Sequence, residues 1–202
     1  MFSGVQFSIY PMTDDFVGTI SHGLSALDPY RERLRIETDD VSTLVVGPAD
    51  QLFAAMRDLF VAVAGSGVHC VLSATVSRGC PGEPDDPICH GGIATGARQP
   101  LAERSAQARN AVAEAPVVGL PVSGQVSLYV MGTGNHMDEI GGCIDFLKAS
   151  GVYDRSKHFC TKVGGDAGAV FEALSQSFLR FGPPEGHVTL DVTISANSPS
   201  LR

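Results

Sequence analysis

The chain has 202 residues, of which 44% are hydrophobic and 18% charged, with 14 Lys and Arg against 22 Asp and Glu for a formal net charge of −8. This composition excludes general disorder, and the length allows one or two domains with a real hydrophobic core. The negative balance argues against nucleic acid and anionic membranes as partners, because phosphate recognition needs clustered Lys and Arg.

The first 82 residues predict a domain with the order strand, helix, strand, strand, helix, strand. Apolar residues recur every three or four positions in both helical segments and alternate along the last strand. Thr13, Asp14 and Asp15 stand at the start of the first helix, which favours an N-terminal cap with added negative charge. The predicted elements lie at residues 5–11, 13–27, 33–38, 41–46, 48–64 and 68–77.

Residues 83–123 predict a linker, which opens in a stretch rich in glycine and proline and continues in a helix from Leu101 to Ala115. Cys80 and the pair Cys89-His90 lie around its start. Their spacing matches no common zinc module, so neither a metal site nor a cofactor is predicted.

The second half, residues 124–202, repeats the first in the same order. Tyr129 follows Tyr10 by 119 positions, and Thr161 follows Thr43 by 118. Such self-similarity indicates a duplicated unit. The predicted fold class is therefore α+β, with tandem duplicated ferredoxin-like (βαββαβ) plaits, antiparallel sheets and helices on one face.

Polar side chains alternate with apolar ones along the last strand of each half, and they should share the face away from the helices. This face is either solvated or part of a polar groove between two sheets that would suit a small heterocycle. His69 and His187 begin these strands and are expected to be structural, each bonded to a neighbouring carbonyl.

His158 and Cys160 offer the best candidate for catalysis. On a strand, residues two apart point to the same face, as a nucleophile and its base require. The first half has Asp40 and Ser42 at these positions, so the pair is not duplicated. A Cys/His enzyme and an ACT-like regulatory module for a small metabolite remain the alternatives to ligand binding.

The cysteine usage and the termini predict a cytoplasmic protein. Five cysteines without a Cys-x-x-Cys pair make a poor disulfide framework. The N-terminus has neither the basic start nor the apolar run of a signal peptide, and no segment is long enough for a membrane helix.

Several motifs spread over nearly the whole chain resemble one known family, the YkoF-type thiamin/hydroxymethylpyrimidine-binding proteins. They are the FSIYPMTDDF run from Phe7 to Phe16, Val41-Ser42-Thr43, Gly79-Cys80-Pro81-Gly82, Ala113-Glu114-Ala115-Pro116 and the C-terminal Leu190 to Ser200. Members of that family are similar to tandem ferredoxin-like repeats that pair as dimers.

The resemblance implies a non-enzymatic binder of thiamin through its aminopyrimidine ring, with one site in each repeat. It further implies a homodimer that serves uptake or salvage of the pyrimidine precursor, alongside a membrane transporter of the energy-coupling type. Carried over by motif, the ligand-binding residues are Ile9 and Thr43 with their neighbours Tyr10 and Ser42, then Leu128 and Thr161 with Tyr129 and Cys160.

An aminopyrimidine presents an amine donor beside a ring-nitrogen acceptor, which a backbone group and a threonine hydroxyl can read. The cationic thiazolium suits an acidic protein, so we expect unphosphorylated ligand to be preferred over thiamin diphosphate. Val130 replaces Pro11 and Cys160 replaces Ser42 in the second repeat. The second site is therefore expected to be weaker or altered in specificity.

Overall fold

The computed structural model describes residues 3–79, 99–184 and 186–201, and these form eight strands and five α-helices. The strands are β1 (Ser3–Pro11), β2 (Arg35–Thr38), β3 (Thr43–Val46), β4 (Cys70–Arg78), β5 (Pro121–Met131), β6 (Tyr153–Ser156), β7 (Thr161–Asp166) and β8 (His187–Ala196). The helices are α1 (Phe16–Ser25), α2 (Ala49–Ala64), α3 (Leu101–Ala113), α4 (His136–Ala149) and α5 (Ala167–Arg180).

All eight strands belong to one antiparallel sheet with the order β2-β3-β1-β4-β8-β5-β7-β6. Each half of this order is that of a ferredoxin-like plait, so the predicted α+β class with two βαββαβ units is confirmed. The plaits meet where β4 pairs with β8, from Cys70↔Ala196 to Arg78↔Val188. Within the described residues the halves thus share one sheet, and no groove between two separate sheets forms.

The β4–β8 pair is the centre of a pseudo-twofold arrangement. Ala74 pairs with Val192, its own equivalent 118 positions later. On either side, His69 Nε2 lies 3.2 Å from Ser195 Oγ, and His187 Nε2 lies 3.1 Å from Ser77 Oγ. The expectation that these histidines bond to carbonyls is therefore wrong, because each lies beside a hydroxyl of the opposite repeat, and His187 Nε2 also lies 3.3 Å from the Thr189 hydroxyl of its own strand.

The helix layer also joins the two repeats. The ring of Phe53 on α2 lies 5.8 Å from that of Phe178 on α5, and Phe60 lies 5.9 Å from Phe171. All four rings are buried and belong to one hydrophobic cluster between the helices and the sheet. The two plaits therefore share both a sheet and a core.

Helix α3 is fastened to the second plait by a buried ion pair. The Arg104 guanidinium donates two hydrogen bonds to the Glu139 carboxylate of α4, at 2.9 and 3.0 Å. Glu139 is 2% exposed and also accepts from the backbone N–H of Gly182 at 2.6 Å. One carboxylate thus links α3, α4 and the turn after α5.

Most element boundaries differ by one to three residues from the sequence expectation. Helix α1 begins at Phe16, and its N-cap is Asp15, whose carboxylate accepts from Gly18 N at 3.2 Å, so the predicted capping role is confirmed for Asp15. Strand β3 begins at Thr43 instead of 41. The proposed linker cysteines, Cys80 and Cys89, and His90 lie outside the described residues.

None of the helices in the described ranges is long and apolar enough to span a membrane.

Candidate functional site

In each repeat the first strand extends beyond its neighbour. Strand β5 continues to Met131, whereas its pairing with β7 ends at Val126↔Thr161. Strand β1 continues to Pro11, whereas its pairing with β3 ends at Phe7↔Thr43. One edge of each first strand therefore has no strand partner in the described sheet over its last residues, and its backbone groups are available to a ligand.

A four-residue loop closes the hairpin beside this bare edge in the first repeat. Asp39 N donates to Ser42 O at 3.0 Å, and the Ser8 hydroxyl of β1 donates to Val41 O at 2.9 Å. The Asp39 carboxylate accepts from the N–H groups of Val41 and Ser42, both at 2.8 Å. These two N–H donors lower the pKa of Asp39, so it is ionised at neutral pH.

The second repeat has the same loop geometry with different side chains. Lys157 N donates to Cys160 O at 2.8 Å, and the Ser127 hydroxyl of β5 donates to Phe159 O at 3.0 Å. The two bonds correspond to those of the first repeat. The loops at 39–42 and 157–160 are thus equivalent in position and in backbone structure.

A cavity of about 210 Å³ lies between the bare edge of β5, the 157–160 loop and α4. Four predicted site residues, Leu128, Tyr129, Cys160 and Thr161, all line it. The structure therefore brings the second-repeat set together. The remaining lining residues are Val126, Ser127, Ile140, Cys143, Ile144, Leu147, Ser156, Lys157, His158 and Phe159.

The Thr161 hydroxyl is the best-placed polar side-chain group of this cavity. Thr161 is 7% exposed, and no hydrogen bond to its hydroxyl occurs within the described part of the chain. The neighbouring Ser156 hydroxyl lies 3.1 Å from Tyr153 Oη and is occupied there. A ligand entering the cavity would therefore find apolar side chains beside the buried Thr161 hydroxyl.

The predicted residues of the first repeat occupy the equivalent positions. Ile9 is half-buried against the core, and Tyr10 is 51% exposed, as its counterpart Tyr129 is at 48%. Thr43 is buried, but its hydroxyl lies 3.0 Å from that of Thr38. Ser42 accepts a hydrogen bond from the Gln6 side chain. The hydroxyls of Thr43 and Ser42 are thus already paired within the protein.

The wall formed by α4 was not among the predicted site residues. Its Ile140, Ile144 and Leu147 share one face of the helix, as their spacing in the sequence indicates. The same spacing is found for residues of a core and for residues of a cavity wall, so the sequence could not distinguish the two. Cys143 lies on the same wall. Burial raises the pKa of its thiol to about 12, against the opposing effect of a hydrogen bond with Ser177, so the thiol is neutral.

His158 and Cys160 do not form the arrangement that catalysis requires. Both lie in the loop before β7 instead of on the strand, so the expectation that they share a strand face is wrong. The Cys160 thiol points to Gln125 Oε1 at 3.7 Å, and the His158 ring packs near Phe159. Among the described residues, no group of three or more His, Cys, Asp or Glu is placed to hold a metal ion.

Comparison with known proteins agrees with the duplication of the chain. The model of a family described as "Ykof: YKOF-related Family" matches residues 2–83 and 122–201, one segment for each repeat. A protein of Bacillus subtilis (strain 168) named "Putative HMP/thiamine-binding protein YkoF" is 32% identical over 200 residues. The match covers 99% of this chain and 92% of that protein.

Proposed function

The chain belongs to the YkoF-related family, and on this basis we propose that it binds thiamin through the hydroxymethylpyrimidine moiety and leaves it chemically unchanged. The relative's name states binding of HMP and thiamine and no reaction. The ligand, the site and the biological role of this chain are the content of the proposal.

The observation that carries the proposal is the bare edge of β5 beside the unpaired hydroxyl of Thr161. A strand edge offers N–H and C=O groups at regular spacing, and an aminopyrimidine offers an acceptor nitrogen beside an amine donor. The apolar wall of Leu128 and Ile144 would cover the ring faces. The cavity volume of about 210 Å³ has room for a single substituted ring.

We extend the proposal to a second site in the first repeat, formed by Ile9, Tyr10, Ser42 and Thr43. Its support is the equivalent bare edge of β1 and the equivalent loop. Asp39 and Asp40 on that loop would favour the cationic thiazolium of intact thiamin.

We also propose a homodimer that pairs the open faces of two sheets, and a role in uptake or salvage alongside an energy-coupling transporter. The open face carries the exposed rings of Tyr10 and Tyr129, and aromatic residues are enriched in protein interfaces. Light scattering should give twice the chain mass of 21.2 kDa. A monomer at micromolar concentration would refute the dimer without touching the ligand proposal.

Calorimetry with thiamin, hydroxymethylpyrimidine and thiamin diphosphate tests the ligand. We expect binding of the first two at two sites per chain and weaker binding of the diphosphate. Absence of heat and of thermal stabilisation with all three at millimolar concentration would refute the proposal.

Thr161→Val tests the second site, because valine keeps the shape and removes the hydroxyl. We expect Kd to increase about five- to tenfold at one of the two sites, which corresponds to the loss of one net hydrogen bond. Thr133→Val is the matched control, since Thr133 lies in the turn before α4 and does not line the cavity. Unchanged binding in Thr161→Val would remove this residue from the site.

A further inference from the structure

The two equivalent hairpins carry opposite charge. The hairpin of β2 and β3, residues 35–44, has three carboxylates and one cation, whereas the hairpin of β6 and β7, residues 153–162, has three cations and one carboxylate. The reversal extends into the loops. Asp39 and Asp40 in the first repeat correspond to Lys157 and His158 in the second.

The loop ends of the two hairpins have the same pairing and closing bonds, although the second hairpin has a register shift between Tyr153 and Arg155 that the first lacks. Thr38 pairs with Thr43 in the first hairpin as Ser156 pairs with Thr161 in the second. The loop-closing bonds, Asp39 N to Ser42 O and Lys157 N to Cys160 O, measure 3.0 and 2.8 Å. A ligand held in the same way against each strand edge would therefore meet opposite charges.

The charge of Lys157 is not cancelled by a carboxylate. Its Nζ lies 3.1 Å from Gln125 Oε1, a neutral group, and no ion pair to Lys157 occurs in the described ranges. By contrast, Asp154 is already engaged, with Lys162 at 2.7 Å and Arg155 at 3.5 Å. Lys157 is exposed at the rim of the cavity, and its flexible stem allows the ammonium group to turn to a ligand.

We propose that the two sites have divided their ligands by charge, and that the second cavity takes the phosphate monoester of the hydroxymethylpyrimidine, with Lys157 as its specificity-determining residue. The proposal rests on the proposed function, since it assumes a pyrimidine in the cavity. In the first site the carboxylates of Asp39 and Asp40 repel a phosphate and favour neutral or cationic ligands. The net negative charge of the whole chain does not prevent binding of a phosphate, because salt screens charges that lie more than about 10 Å away.

Calorimetry of the full chain with two probes tests the division: the free hydroxymethylpyrimidine alcohol and its phosphate monoester. We expect two sites per chain for the alcohol and one for the ester. Lys157→Gln should weaken the ester about five- to tenfold and leave the alcohol unchanged, as expected for a single partly screened charge contact. Lys148→Gln, which removes an exposed lysine of α4 that does not line the cavity, is the matched control and should change neither.

The variant Asp40→Lys in the first loop, which leaves the Asp39 carboxylate bonded to Val41 N and Ser42 N, should create a second site for the ester. If the alcohol binds but the ester binds at both sites equally, at neither, or independently of Lys157, the division by charge is refuted and the proposed function stands. If neither probe binds, the proposed function itself fails. Because residues 40 and 157 are exposed, neither variant is expected to affect folding.

Discussion

The buried Arg104–Glu139 pair gives the sharpest stability prediction. Glu139→Ala removes a carboxylate that is 2% exposed and accepts hydrogen bonds from the Arg104 guanidinium and from Gly182 N. The guanidinium of Arg104, 8% exposed, would then lose this carboxylate as a partner in the interior. Two carbonyls, those of Gln99 and Arg180, would still accept from it.

Breaking a buried pair by removing one partner costs about 3–5 kcal/mol, because the remaining charge stays desolvated. For a chain of this size each kcal/mol lowers Tm by about 2–4 °C, so we expect a decrease of roughly 6–20 °C. The double variant Arg104→Met with Glu139→Leu removes both charges at similar volume. It should therefore be more stable than Glu139→Ala alone.

Urea unfolding followed by circular dichroism, together with thermal melts, measures these differences. The exposed pair of Lys148 and Asp145 on the same helix is the control, and Asp145→Ala should cost less than about 1 kcal/mol. The reasoning would be refuted if Glu139→Ala lowered the free energy of unfolding by less than about 1 kcal/mol, or if the double variant were less stable than the single one. Either result would mean that the buried charge of Arg104 is still compensated when Glu139 is absent.

Two further predictions concern single groups. Asp166 caps α5, and burial opposes its ionisation, but N–H donors from Val118, Gly168 and Gly119 prevail and lower its pKa. The ionised Asp166 therefore stabilises the fold at pH values above the ordinary pKa of 3.8. This stabilisation is lost as the pH falls through the lower pKa of the folded state. Asp166→Asn should cost about 1–2 kcal/mol in urea unfolding at neutral pH and progressively less in acid, and an equal cost at both would contradict this. Burial raises the pKa of Cys70 and Cys143 to about 12, so native alkylation mapped by mass spectrometry should modify Cys160 before either. Bound thiamin should protect Cys160, and modification of Cys143 at the same rate would contradict the burial of its thiol.

The sequence predicts the class of this fold well because each element carries its own period. The alternation of apolar and polar residues in β4 and the three-to-four spacing of apolar residues in α2 are local signals. Because the chain is duplicated, each signal occurs a second time in the other repeat. The union of the two sheets could not be predicted in this way. The pairing of β4 with β8 depends on two strand edges more than 100 residues apart, and their alternation is the same for an edge strand as for a central one.

The bare strand edge at the candidate site could not be predicted from the sequence. The predicted third strand begins at 41 and the observed one at Thr43, a difference within the usual uncertainty of strand ends. Those two residues decide whether the strand edge is bare, because a strand starting at Val41 would continue to pair with β1 as far as Ile9. Similarly, the Arg104–Glu139 pair joins helices 35 residues apart and has no local pattern.

Duplication explains why the two sites can differ without loss of the fold. Both loops are held by a main-chain bond and by Ser8 or Ser127, and the first loop is held in addition by the Asp39 carboxylate, which accepts from Val41 N and Ser42 N. None of these bonds involves the side chains at 40, 157 and 158, which are therefore free to change charge. The threonines have also diverged, since the Thr43 hydroxyl is paired with Thr38 whereas that of Thr161 is not paired in the described chain. A ligand at the first site must break or share the bond between these hydroxyls, and a ligand at the second need not. From this contact we expect the second site to bind the neutral pyrimidine more strongly than the first, which is opposite to the weaker second site expected from the sequence, and Thr38→Val should narrow the difference in Kd between the two sites.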